Sequence, residues 1–418
     1  MVPPNACKIL NDWGLDAELH ANSSPAAGVG LHRYDQDKFL GLNCWDPEIL
    51  AEARGGYWQL THRDLIRMLY ELAIKPSEDD SSSLVSVMFG AEVVKIDCET
   101  PSVTLRSGEV HTADGILGAD GARGVVRRTL MEEEGVSSEC EDFSGLWVYS
   151  ALIPKTLVLE NDLGWLREFP FYHTWSAPNR AAKTLAVGKD GDISLVLYTP
   201  DGSENSAWTE EAEIKLPDVL GPCLDWTRKL AGLAGPAAGI PIKRYYELES
   251  WTSESGRVLA IGDAAHPSTP GSMHSYSISL EDGVFVGKLF SHTRNTERVP
   301  EFFRAFQEHR ETRCTRIQKG EEEVVRLLTV PEGPEREASE ANMCAKQALG
   351  SQNVLDGDLA NVLDDLRMVF SYDARDDADE YWMSWGRYGS TSESTSIMPL
   401  RVERTYEGTG DSNGGINI

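Results

Sequence analysis

The sequence predicts an α/β protein that combines a doubly wound, dinucleotide-binding type of domain with a second domain built on an antiparallel sheet. The first domain is indicated by residues 258–290, where an apolar run, a Gly-Asp pair, a polar loop and a helical pattern follow one another. The second is indicated by residues 143–198, which are rich in aromatic side chains and short strand-like runs. A chain of 418 residues is long enough for two domains.

Residues 258–290 form the predicted ligand site. The apolar run 258–261 predicts a buried strand that stops at Gly262 and Asp263, and residues 278–290 predict the helix that follows the loop. In open α/β sheets, ligands bind beyond the carboxyl ends of the strands. The start of the helix offers free N–H groups and partial positive charge, and the Asp263 carboxylate can hold a ligand hydroxyl.

The remaining elements follow from apolar spacing and from turn residues. A proline marks the entrance of the first helix and Gly14 follows its end, and alternation over 30–42 predicts a hairpin. Further helices are predicted at 62–72, 210–233 and 301–328, and short strands at 85–89, 93–96 and 103–106.

Charge and cysteine usage exclude several classes of partner. The formal net charge of −28 argues against a nucleic acid held through phosphate contacts and against an anionic membrane surface. No run of about 18 apolar residues predicts a transmembrane helix. Seven scattered cysteines without a Cys-x-x-Cys pair argue against a zinc site and a disulfide framework and favour a reducing compartment, the cytoplasm. The sequence leaves both a monomer and a homo-oligomer open.

Three motifs then occur in the order in which FAD-dependent aromatic hydroxylases have them. Residues 262–267 (Gly-Asp-Ala-Ala-His-Pro), followed by Pro270 and Glu281-Asp282, resemble the second flavin-contacting motif of these enzymes. Residues 118–121 (Gly-Ala-Asp-Gly) resemble their central motif, and His62-Arg63 resembles the helix start with the arginine beside the flavin. The chain therefore resembles the salicylate hydroxylase-like flavoprotein monooxygenases of group A.

The resemblance implies cofactor-binding roles for five residues. Arg63 would bind diphosphate or ribityl oxygens, although a solvated arginine at a helix start is the alternative. Asp120 would take part in flavin and nicotinamide handling, or would only close a turn. Asp263 would hold a ribityl hydroxyl, while Ser275 and Tyr276 would face the flavin pyrimidine, where the helix start stabilises negative charge. No catalytic residue and no metal ligand is assigned, because oxygen transfer depends mainly on how the cofactor is positioned.

The sequence departs from the family in two places. It contains no Gly-x-Gly-x-x-Gly motif, and the candidate at 28–33 lacks the third glycine and runs into a charged hairpin. The family's first strand-helix-strand unit, with its central strand, is therefore expected to be missing; truncation, a rearranged sheet and a partner chain all remain open. In addition, His274-Ser275 stands where the family usually has Gln-Gly, and Tyr276 where a small residue is common.

The resemblance covers residues 1–385 and implies the division of the chain. Residues 1–142 and 246–385 would form the N-terminally shortened FAD-binding domain, 143–245 the substrate domain and 386–418 a disordered tail. The implied function is an FAD-dependent monooxygenase that hydroxylates an aromatic or polyketide-like small molecule with NAD(P)H and O2. The alternative is a non-redox or inactive descendant or fragment that no longer binds FAD stoichiometrically and uses its aromatic pocket for binding or a cofactor-free isomerisation.

Overall fold

The computed structural model describes residues 1–76, 85–137, 140–167, 170–200, 213–355 and 368–388. The helices are α1 (Pro4–Asp12), α2 (Asp16–Asn22), α3 (Pro47–Glu52), α4 (His62–Ala73), α5 (Val125–Glu133), α6 (Lys155–Glu160), α7 (Asp225–Leu233), α8 (Ser275–Ser291), α9 (Val299–Leu328), α10 (Pro334–Ala348) and α11 (Ala374–Ser384). The strands are β1 (Ser24–Pro25), β2 (Gly28–Arg33), β3 (Phe39–Cys44), β4 (Trp58–Gln59), β5 (Val93–Asp97), β6 (Ser102–Leu105), β7 (Val110–Thr112), β8 (Ile116–Gly118), β9 (Cys140–Ile153), β10 (Phe171–Ala177), β11 (Arg180–Val187), β12 (Asp192–Pro200), β13 (Glu213–Ile214), β14 (Ala237–Tyr245) and β15 (Val258–Ala260).

An eight-stranded sheet dominates one side of the molecule. Its strand order is β13-β14-β9-β12-β11-β10-β2-β3, and every neighbouring pair is antiparallel except β10 with β2. The predicted antiparallel sheet is thereby confirmed, as is the hairpin, which forms β2 and β3. This hairpin lies in the sequence range assigned to the first domain, yet it completes the sheet of the second. The limits of the two domains stay a prediction.

The predicted strand-loop-helix arrangement is also present. β15 pairs in parallel with β8, with Val258 opposite Ile116 and Ala260 opposite Gly118. The three residues of β15 are fully buried in the large cluster that also takes in α1, α8 and α9, whereas Leu117 in the middle of β8 is 47% exposed. Among the residues that the structure describes, β8 and β15 form a sheet of two strands. Because the two strands are parallel, the carboxyl ends of β8 and β15 lie at the same edge of this sheet, and the candidate site lies at that edge.

Two predicted elements are wrong and one lies outside the described residues. The strand predicted over 85–89 is irregular, because the chain turns at residues 89–90, where Gly90 has a φ of +70°. Of the helix predicted over 210–233, residues 210–212 lie outside the described residues, and 213–233 form an α-helix only at α7, since Pro217 and Pro222 cannot continue a helix. Of the predicted tail, Gly386–Tyr388 is a short 3-10 turn and 389–418 lie outside the described residues. No described helix is both long and apolar enough to cross a membrane.

Candidate functional site

The loop between β15 and α8 is the centre of the candidate site. A 3-10 turn, Gly262–Ala264, follows the strand directly. Gly262 has a φ of +56°, and its N–H donates to the Asp282 carboxylate of α8 at 2.8 Å. A side chain at position 262 would also meet the Ser279 hydroxyl at 3.0 Å, which explains the glycine. The turn is therefore fixed against the first turns of α8.

Asp263 points away from this buried side. It is exposed, and its Oδ1 accepts a hydrogen bond from the Ser268 N–H at 3.1 Å. Ser275 and Tyr276 form the start of α8 and are half-buried. Because the 3-10 turn contacts α8, Asp263, Ser275 and Tyr276 belong to one loop-and-helix-start unit. The structure thus brings together three of the five residues that were assigned to the cofactor.

Asp120 lies at the same sheet edge, because β8 and β15 are parallel neighbours and both acids follow the strand ends. Its Oδ2 accepts the Val126 N–H at 3.0 Å and so caps the start of α5. A Cβ atom at Gly124 would come within 2.0 Å of the Asp120 carboxyl carbon. Glycine at position 124 therefore leaves room for the carboxylate with which Asp120 caps the helix.

Arg63 is the second residue of α4 and is exposed. The N-cap of this helix is Thr61, whose hydroxyl accepts the Asp64 N–H at 3.1 Å. Within the described ranges, no hydrogen bond or ion pair joins Arg63 to the other four assigned residues. Its proposed contact with the cofactor therefore remains a prediction.

A buried ion network beneath the loop was not predicted from the sequence. Arg310 and Arg313 of α9 face Glu281 and Asp282 of α8. Arg310 Nε lies 2.9 Å from Asp282 Oδ1, and Arg313 Nη2 lies 2.7 Å from Glu281 Oε1. Asn5 of α1 also donates to Glu281 Oε1 at 2.7 Å. The sequence did contain a signal for this network, because Glu281 and Asp282 stand inside the otherwise apolar helix α8. Charged residues are buried in such a place only when they are paired.

His266 completes this network below the Gly-Asp turn. Its Nε2 lies 2.6 Å from Asp282 Oδ2, and both side chains are almost fully buried. Burial alone would lower the pKa of His266, but the neighbouring Cys314 sulfur and the Asp282 carboxylate raise it well above the ordinary value. Burial would likewise raise the pKa of Asp282, but His266 and Arg310 hold it below its usual range. The imidazolium and the carboxylate therefore form an ion pair at neutral pH.

We expect the contribution of His266 to stability to depend on pH. A group whose folded-state pKa is raised contributes fully below its unfolded pKa of about 6.5 and loses that contribution as the pH rises through the folded value. Urea unfolding of the wild type and of His266→Gln should therefore differ more at pH 6 than at pH 9.5. A difference that grows with pH would contradict the ion pair.

Side chains of the eight-stranded sheet also form hydrogen bonds with the loop between β15 and α8. Lys183 of β11 donates from Nζ to the Gly271 carbonyl at 3.2 Å, and the Tyr198 hydroxyl of β12 donates to the same oxygen at 3.1 Å. Tyr172 of β10 donates to Met273 Sδ at 3.1 Å. These contacts bring the aromatic sheet predicted for a substrate domain against the loop predicted for a cofactor.

The residues present fit the flavin end of FAD. Among the buried polar atoms on this loop and helix start, Ser268 Oγ, His274 Nδ1 and Tyr276 Oη have no hydrogen-bond partner in the described residues. Such atoms are rare in folded proteins and call for a partner. The first turn of α8 adds N–H groups without partners inside the helix. For the pyrophosphate, the described residues include no glycine-rich strand-to-helix turn, so no residue is assigned to hold it.

Comparison with known proteins shows which proteins the chain is similar to. No protein-family model matches the chain. It is 24% identical to the FAD-dependent monooxygenase OpS4 of Beauveria bassiana, over 82% of this chain and 79% of that protein. It is 23% identical to the 3-amino-4-hydroxybenzoate 2-monooxygenase PtnB3 of Streptomyces platensis, over 83% and 82%. A salicylate hydroxylase in a substrate complex superimposes with a TM-score of 0.68 at 18% identity, covering 90% of this chain and 88% of that one.

The fold is thus that of the FAD-dependent hydroxylases, which confirms the predicted fold class. The sequence relatives are named as FAD-dependent monooxygenases, the class of protein that the three motifs resemble.

Proposed function

We propose that the chain is an FAD-dependent monooxygenase that hydroxylates an aromatic or polyketide-like small molecule with NAD(P)H and O2. The observation that carries the proposal is the loop 262–276, which joins an exposed aspartate, unpaired buried polar atoms and a helix start, and which the aromatic sheet contacts. Relatives that are named FAD-dependent monooxygenases, one of them acting on an aminohydroxybenzoate, support the same chemistry.

Each assigned residue has a role in this proposal. Asp263 would accept a hydrogen bond from a ribityl hydroxyl, and Arg63 would bind a phosphate or ribityl oxygen. The N–H groups and side chains of Ser275 and Tyr276 would face the flavin pyrimidine and stabilise negative charge there. Asp120, besides capping α5, would take part in nicotinamide handling. When bound, FAD supplies hydride acceptance from NAD(P)H and oxygen transfer to the substrate.

Two features of the chain support the proposed partners and cell compartment. The net charge of −28 disfavours nucleic-acid and anionic membrane partners and leaves a small molecule as the ligand. The six described cysteines are unpaired, which suits the cytoplasm. We retain the division into an FAD-binding part, 1–142 and 246–385, and a substrate part, 143–245, as a proposal, and a homo-oligomer as an open case.

The second candidate is a non-redox or inactive relative that does not bind FAD stoichiometrically. The observation that favours it is the glycine-rich turn missing from the described residues, because that turn would hold the pyrophosphate. The two candidates differ in one measurable quantity, the flavin retained per chain.

We expect the purified protein to retain about one FAD per chain after incubation with FAD and gel filtration, as judged by visible absorption. Asp263→Asn should weaken FAD binding about tenfold, as expected when a charged hydrogen-bond acceptor is lost. Asp190→Asn, at an exposed turn of the large sheet, is the matched control and should leave retention unchanged. NAD(P)H oxidation with phenolic compounds is then measured on the loaded protein. A folded, monodisperse wild type that retains no flavin would establish the second candidate.

A further inference from the structure

A buried carboxylate of α9 lies at the start of α8. Glu321 is 5% exposed, and its Oε1 accepts the N–H groups of Met273 and His274 at 3.0 and 3.1 Å. His274 directly precedes the helix, which Ser275 and Tyr276 open. The start of a helix carries partial positive charge, and hydrogen bonds to a carboxylate are charge-assisted. Glu321 therefore places its negative charge at the helix end to which the flavin-facing residues belong.

The carboxylate of Glu321 has no ion-pair partner among the residues that the structure describes. The Lys183 ammonium is close enough to influence it but donates to the Gly271 carbonyl, at 3.2 Å. Burial lowers the pKa of the His274 imidazole and the pKa of the Met1 amino group, so both carry less positive charge than they would in water. Because little water screens a buried charge, the carboxylate acts on groups several ångströms away.

A flavin at this helix start would interact differently with Glu321 in its two oxidation states. Reduction of FAD by two electrons and one proton adds one negative charge to the flavin. In the proposed function, the start of α8 stabilises that charge. Glu321 opposes this effect in two ways, because it repels the added charge and because it occupies the N–H groups of Met273 and His274. Its carboxylate thus disfavours the reduced flavin more than the oxidised one.

We propose that Glu321 lowers the redox potential of the bound flavin by holding a fixed negative charge at the start of α8. It is a positioning residue, since it contacts the loop N–H groups and acts on the cofactor through them and through its charge. A flavin of lower potential gives its electrons to O2 more readily and takes them from NAD(P)H less readily. The inference rests on the proposed function for the place of the flavin.

The test measures the midpoint potential of FAD bound to the full chain, by slow reduction in the presence of a reference dye. Glu321→Gln keeps an oxygen that can accept the two N–H groups and removes the charge. We expect this variant to favour reduced over oxidised FAD about tenfold relative to the wild type, which raises the potential by about 30 mV for two electrons. Glu321→Asp keeps the charge and should stay near the wild-type potential.

Glu322→Gln is the matched control, because Glu322 is the next residue of α9 and is exposed. It removes the same charge from the protein and should leave the potential unchanged. A purely structural role of Glu321 would change the melting temperature without moving the potential. If Glu321→Gln does not fold, Glu321→Ser is the second neutral variant and should shift the potential in the same direction. An unchanged or lower potential in a folded neutral variant that holds FAD would overturn the inference.

Titration of each protein with oxidised FAD, followed by flavin fluorescence, separates this inference from the proposed function. A wild type that binds FAD, with a neutral variant of unchanged potential, refutes the role of Glu321 and leaves the monooxygenase proposal standing. Binding by Glu321→Gln alone supports the opposition between Glu321 and the flavin and refutes the monooxygenase proposal for the wild type. Binding by neither protein refutes both.

Discussion

Replacing Arg310 with methionine should lower the free energy of unfolding by about 3–5 kcal/mol, because the change removes the one cation that two buried carboxylates share. Arg310 is fully buried, and its guanidinium contacts both Glu281 and Asp282 at 2.8 and 2.9 Å. Methionine fills most of the same space, so the effect reports the lost charge more than a cavity. Urea unfolding followed by circular dichroism measures the change.

Arg326→Met on the same helix is the control for this experiment. Arg326 also bridges two acids, Glu323 and Glu335, at 2.8 and 3.0 Å, but all three side chains are exposed. Exposed ion pairs contribute about 0–1 kcal/mol, so this variant should unfold almost like the wild type. Equal losses in the two variants would show that the buried network is not what stabilises the contact between α8 and α9.

Gly271→Ala should destabilise the protein by at least about 2 kcal/mol, because two independent costs add. Gly271 has a φ of +78°, in the left-handed region that costs other residues about 1–2 kcal/mol. A Cβ atom there would also lie 2.3 Å from the hydroxyl of Tyr198, which is fully buried in the sheet and cannot easily retreat. The expected result is a lower melting temperature together with weaker FAD retention, since the loop then leaves the sheet.

Gly287→Ala is the control, because it tests whether the loss of stability comes from position 271 and not from a change of glycine to alanine in general. Gly287 lies inside α8, is exposed, and a Cβ atom added there would meet nothing within 4 Å. In a helix interior alanine is favoured over glycine by about 1 kcal/mol, so this variant should be more stable than the wild type. A Gly271→Ala protein that melts at or above the wild-type temperature would refute the close approach of loop and sheet.

The sequence predicted those parts of the fold whose causes are local. The strand β15, the Gly-Asp turn and the helix α8 follow from an apolar run, a turn residue and helical spacing over a short stretch, and the structure has all three. The helix α9 was found for the same reason. Pro217 and Pro222 prevent an α-helix over 213–224, and their effect was underestimated beside the apolar pattern.

Only those residues of the candidate site that are close together in the sequence could be predicted. Asp263, Ser275 and Tyr276 are near one another along the chain, so a motif identifies them together. Lys183 and Arg310 lie far from the loop in sequence, and only the register of the sheet and the packing of α9 on α8 bring them to it. A lysine inside an alternating strand and an arginine on a long helix have the same local pattern whether they are solvated or buried.

The parallel pairing of β2 with β10 has a consequence for the order of folding. The hairpin of β2 and β3 is synthesised early, but its neighbour in the sheet is residues 171–177. At ribosomal speed the hairpin would wait on the order of ten seconds for that strand, with Val29, Leu31 and Leu40 still uncovered. Such delayed, non-local pairing slows folding and exposes chains to aggregation. Production of this protein should therefore depend strongly on chaperone capacity and on temperature during synthesis.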